Sequence, residues 1–186
     1  MTIYRFDLNK YEIKDTRSRH EDTNYITAAL SVNDQPIGSP QTKFMGNQNN
    51  GTFPVGFSWA NVDVPEGGTA TLFYQILNSG HKSHAELENA LTAYAQQQLP
   101  STAPSIGDWK SVLLELAAAH TIKLLFANCD GPIAPPEGRK LVWSSDELKS
   151  VAPGTTGEES VHEHGNDSPS GCGKNSHYIV HFSVTA

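Results

Sequence analysis

Three groups of side chains in this 186-residue chain have the type and spacing to do chemistry. The first is acidic. Asp15 and Asp22 flank a polar stretch that leads into an alternating segment, and Asp130 and Asp167 sit in turn-like sequences further on, with Asp146 as another candidate. Carboxylates grouped at one end of a rigid sheet supply the hard oxygen ligands that calcium prefers, and the Asn side chain and backbone carbonyls of 128–132 would add to them. The same residues also read as ordinary surface charges. Arg17 and Arg19 are placed to pair with the acids, and Asp130-Gly131 and Asp167-Ser168 have the form of turns that bond their own backbone.

The second group is made of histidines. His162 and His164 share one face if their segment is extended, and so do His177 and His181, so a hairpin closed by residues 165–176 would bring all four together. Imidazoles arranged in this way suit zinc, iron or copper, and such a metal would open the way to an oxygenase or a hydrolase. A solvent-facing edge hairpin with no ligand accounts for the same spacing, which has neither the zincin nor the zinc-finger form. The third group is the pair Cys129 and Cys172, beside segments that read as neighbouring strands. A disulfide and two buried thiols are both open for it.

The elements that must position these residues are mostly strands. Ile26, Ala28, Leu30 and Val32 alternate with Thr27, Ala29, Ser31 and Asn33, the period of a strand with one buried face. In residues 2–14, Tyr4, Phe6 and Leu8 share one parity while Tyr11 and Ile13 hold the other. That phase change near Asn9 and Lys10 predicts a bulge or a change of sheet. Phe53, Val55, Phe57 and Trp59 alternate, and Pro65 to Gly68 turns the chain into another strand at 69–78, as a hairpin or a crossover between sheets. The stretch from Gly46 to Gly51 has the composition of an exposed loop, as does the Gly/Pro/Thr-rich run from Val151 to Glu159. His177 to Val184 is a further strand, with Tyr178, Val180, Phe182 and Val184 on one side.

Between the strands the period becomes helical. Ser83 and Glu86 form a capping-box signature, and Leu87, Ala90, Leu91, Tyr94, Ala95 and Leu99 line one face up to Pro100. A second helix begins at Ser105 or Asp108 and carries Trp109, Val112, Leu113, Leu116, His120 and Leu124. The expected fold is therefore mainly β, a single antiparallel β-sandwich domain over 1–186 with a helical hairpin inserted at about 83–127.

Asp15 and the run Asp22-Thr23-Asn24-Tyr25-Ile26, leading into an alternating strand, resemble the first calcium loop of C2 domains, where one Asp precedes a second followed by Pro-Tyr-Val. Asn24 stands where that family has Pro. The resemblance implies a C2-like architecture more than an activity; a calcium ion held by the acidic group would be structural or would bridge to a carbohydrate hydroxyl or a lipid head group. The segments 128–132 and 167–173 also resemble parts of microbial proteins of unassigned activity.

Net charge sets further bounds. At −7, with no basic run, bulk attraction to nucleic acid or an anionic membrane is not expected. No apolar segment approaches the roughly 20 residues of a membrane span, and the first residues lack the apolar core of a signal peptide. The expected location is cytoplasmic, or exported without a classical signal peptide. Nucleotide loops, nucleophile elbows and dinucleotide fingerprints are absent from the sequence. A calcium-assisted binding module is thus the first expectation. The alternative is a small enzyme with a histidine-lined, metal-dependent site between the sandwich and the helical hairpin.

Overall fold

Alternating side chains, one face apolar and one polar, generate two antiparallel sheets that bury their apolar faces against each other. The computed structural model describes residues 2–17, 22–79, 84–98, 131–133, 138–164 and 176–186. Among these, the strands are β1 (Ile3–Asp15), β2 (Asp22–Val32), β3 (Gln35–Pro36), β4 (Gln41–Gln48), β5 (Gly51–Asp63), β6 (Thr69–Asn78), β7 (Gly131–Pro132), β8 (Arg139–Ser144), β9 (Thr156–His164) and β10 (His177–Thr185). The first sheet has the order β5-β1-β10-β9. The second is built on β2 paired with β6, with β3 and β4 on the far side of β2 and β7 and β8 on the far side of β6.

Strand β1 shows how one extra residue keeps an apolar face turned inward. Its register against β10 advances from Leu8↔Phe182 to Lys10↔His181, so Asn9 is the surplus residue of a bulge. The parity changes there, and Tyr4, Phe6, Leu8, Tyr11 and Ile13 are all buried in the same core. The Asn9 side chain reaches across to Ser183 Oγ at 3.0 Å. Opposite them lie Ile26, Ala28, Leu30, Leu72, Tyr74 and Ile76 of the second sheet. The turn at 65–68 carries the chain from β5 in the first sheet to β6 in the second, so it is a crossover between sheets and not a hairpin.

The outer face of the second sheet is covered by a helix. In α1 (His84–Gln97), Leu87, Ala90, Leu91, Tyr94 and Ala95 recur at helical spacing and pack on Tyr25, Ala29, Phe73 and Leu77. Three hydroxyls fix its position, with Thr27 at 2.8 Å from Thr42 and Thr42 at 2.7 Å from Thr92. Glu88 also accepts the Phe44 backbone N–H at 3.0 Å. The expected partner helix, residues 105–124, lies outside the described residues.

Two expected loops are in fact strand. β4 runs to Gln48 and β5 starts at Gly51, leaving only Asn49 and Asn50 between them, and Gln48 is buried. β9 begins at Thr156 and not after Glu159. Its first residues are exposed on both faces, so they have no alternation to betray a strand. The short α2 (Ser145–Lys149) follows β8 and is closed by a capping box, Ser144 Oγ accepting from the Glu147 N–H while the Glu147 carboxylate accepts from the Ser144 N–H.

Candidate metal site on the outer face of the first sheet

Strands β9 and β10 pair without interruption from His164↔His177 to Thr156↔Thr185. Tyr178, Val180, Phe182 and Val184 occupy the core, which turns His177, Ile179 and His181 outward. On β9 the inward residue is Glu163, which turns its two neighbours, His162 and His164, outward as well.

Buried polar contacts pin both strands. Glu163 is 2% exposed, and it takes a two-pronged contact from Arg139, Nε to Oε1 at 2.9 Å and Nη2 to Oε2 at 2.8 Å, with the Tyr74 hydroxyl donating to Oε1 at 2.7 Å. These ties join β9 to β8 and β6 of the opposite sheet. Tyr178 donates to Asp22 Oδ2 at 2.7 Å and accepts from Asn24 Nδ2 at 2.9 Å, joining β10 to β2. The register that sets the histidines side by side is thus held from the inside.

The result is a compact imidazole cluster. His162 Nδ1 lies 3.1 Å from His177 Nε2, and the rings of His164 and His177 stack with centroids 4.3 Å apart. A ligating nitrogen from each of His162, His164 and His177 lies within 4.8 Å of the others. His162 and His164 are exposed, and His177 is half-buried. Burial first, and then the neighbouring imidazoles of His164 and His162, push the His177 pKa below its ordinary 6.5, while Asp15 pulls the other way. The neutral form, the one that offers a lone pair to a metal, is favoured.

His181 does not join them. Ile179 separates it from His177 on the same face, and its Nε2 lies 3.0 Å from Glu12 Oε1. Lys14 binds the same carboxylate at 2.7 Å, and it is chiefly this Lys14 contact that holds Glu12 below the usual carboxylate range. The histidines are also distant from the helix. They face outward from the first sheet while α1 covers the outer face of the second, so the cleft expected between sandwich and helix does not contain them as far as α1 is concerned.

Of the described acidic candidates, Asp22 is turned into the core, Asp15 is exposed and Asp146 lies at the other end of the second sheet. Asp22 shares the inward parity of Ile26 and Ala28 and is 0% exposed. Its oxygens accept from the Arg17 backbone N–H at 2.7 Å, Asn78 Nδ2 at 3.0 Å and the Tyr178 hydroxyl. It is a satisfied core carboxylate, with its lone pairs directed at protein donors. Asp15 is exposed and stands opposite His177 in the register. Asp146 lies beyond the other end of β6, where Ser144 pairs with Thr69, and it binds Lys149 at 2.9 Å. Asp130, Asp167, Cys129 and Cys172 lie outside the described residues.

The polar core around Asp22 is what sequence reasoning missed. Tyr11 donates to Gln48 Oε1, Asn24 Nδ2 reaches the same oxygen at 3.1 Å, and Asn78 Oδ1 accepts the Thr23 N–H at 2.9 Å. The signal was present in the alternation of β2, which puts Asp22 and Asn24 in phase with Ile26 when it is extended backward by two steps. Clefts of about 380 Å³ beside Tyr4 and Lys149 and about 370 Å³ beside Trp143 and Glu159 contain none of the candidate ligands. No family model matches this chain, nor does any curated protein or solved structure.

Proposed function

We propose that this chain is a metal-binding β-sandwich in which His162, His164 and His177 hold a divalent transition-metal ion, zinc foremost, on the outer face of the first sheet. The observation that carries the reading is the convergence of three ligating nitrogens within 4.8 Å. Two nitrogens bound to one tetrahedral zinc stand about 3.3 Å apart, given zinc–nitrogen bonds of about 2.05 Å. The 3.1 Å between His162 and His177 is close to that edge. Imidazole is a borderline donor, which favours zinc, copper or nickel over calcium.

Calcium-assisted recognition of a carbohydrate or lipid head group is less well supported by this geometry. Asp22 spends its oxygens inside the protein, and Asp15 and Asp146 stand at separate places. A catalytic reading is likewise weaker, because the His181–Glu12 pair that would serve as a base lies beyond Ile179.

Calorimetric titration of the full chain, stripped of metal, tests the proposal with zinc. One equivalent should bind, the His177→Ala and His164→Ala variants should each lose at least about tenfold in affinity, and His181→Ala should retain it. Equal binding by the variant lacking all three clustered histidines would rule the site out.

A further inference from the structure

We infer that Asp15 supplies a fourth ligand to this site, making it a three-histidine, one-carboxylate centre that spans β1, β10 and β9. The inference rests on the metal reading above and adds the residue that completes the set. Asp15 is the last residue of β1 and faces His177 just past a second bulge, at Lys14, and His177 in turn stands directly opposite His164. Three adjacent strands therefore present Asp15, His177 and His164 in one row, with His162 on the next outward position of β9. Directly opposed residues such as His177 and His164 have Cβ atoms about 4.5–5.5 Å apart. Asp15, outside the 4.8 Å group that the three imidazoles form, stands on the adjoining strand, where a change of its side-chain rotamer would bring the carboxylate toward them.

Among the described residues, the cations near Asp15 have contacts elsewhere. Lys14 Nζ is engaged by Glu12 at 2.7 Å. The Arg17 guanidinium lies against Gly131, where a Cβ would stand 2.7 Å from Nη2, and it approaches the Pro132 carbonyl at 3.5 Å. Asp15 is exposed at the end of its strand.

A carboxylate and three neutral imidazoles fill a tetrahedral zinc site from within the chain. Structural zinc sites are closed in this way, whereas catalytic ones keep a position for water or substrate. The ion would thus act as a staple across three strands, not as a Lewis acid toward a substrate.

The test uses the full chain with zinc for affinity and cobalt(II) for its visible ligand-field spectrum, comparing the parent protein with Asp15→Asn, Asp15→His and His177→Ala. Asp15→Asn should weaken zinc binding at least about tenfold and change the cobalt spectrum, since the loss of even an outer partner of a ligand costs about that much. Asp15→His restores a ligand without restoring the charge, and it should recover the affinity to within about threefold of the parent. Circular dichroism of the metal-free variants should be unchanged, because Asp15 is exposed. If Asp15→Asn binds within twofold of the parent with the same spectrum while His177→Ala fails, the carboxylate is not a ligand and the three-histidine site survives alone. If Asp15→His binds no better than Asp15→Asn, charge and not ligation explains the loss and the inference is likewise overturned. If the parent protein binds neither ion, the metal reading itself falls.

Discussion

Single residues in this molecule are positioned by inward polar contacts as much as by apolar packing. Glu163 and Arg139 illustrate the asymmetry. Arg139→Met would leave a carboxylate that is 2% exposed with only Tyr74 as a partner, whereas Glu163→Gln would leave a guanidinium whose side chain is 36% exposed and can reach water. Arg139→Met should therefore cost about 3 kcal/mol in urea unfolding and Glu163→Gln about 1–2 kcal/mol. The reverse order would mean that Glu163 can shed its charge. The buried tyrosines make a pH prediction. Burial, foremost, raises the pKa of Tyr11, Tyr74 and Tyr178 above the ordinary 10.0, and the carboxylates Asp22 and Glu163 add to it. A raised folded pKa gives stability that is complete below the unfolded value and is lost as pH climbs past it. Stability should accordingly fall above about pH 10, and phenolate absorbance should show these three of the six tyrosines ionising only as the chain unfolds.

Among the elements, α1 depends on the sheet beneath it. Its apolar stripe is short, and isolated helices of this length are marginal in water. Leu91 is 1% exposed between Tyr25 and Phe73, so Leu91→Ala should cost about 2–4 kcal/mol by chemical denaturation while leaving zinc affinity unchanged, because the helix and the histidines are on opposite faces. Joint loss of affinity and stability would show that the two faces are coupled. β9 depends on its neighbour in a different way. Outward from β10 it is the last strand of its sheet among the described residues, and much of its length is exposed. A metal joining His162 and His164 to His177 should slow amide exchange in β9 above all. Uniform slowing across both sheets, or none, would argue against a local staple.

At the level of the whole molecule, the site should link metal to global stability. A ligand that binds only the folded chain stabilises it by about 2.7 kcal/mol at one hundred times its dissociation constant, which is about 5 to 10 °C in Tm for a chain of this size. Scanning calorimetry with zinc and with a chelator should show that shift, and His177→Ala should abolish it; calcium should leave Tm unchanged. The sequence by itself determined a great deal: the period-2 runs specified β1, β2, β5 and β10 though neither the end of β4 nor the start of β9, the change of parity around Asn9 marked the place where a bulge or a change of sheet had to fall, and the 3.6-residue spacing marked the buried face of α1. Parity also specified which way His162, His164, His177 and His181 point, since alternate residues of a strand must take alternate faces. Which strands became neighbours was left to the tertiary structure. Pairing of β9 with β10 brought three histidines together and left His181 with Glu12, and stacking of the two sheets turned Asp22 from an expected calcium ligand into a buried partner of Tyr178. Periodicity is a property of one strand, whereas a site is a property of residues distant in the chain, whose meeting depends on register and sheet order.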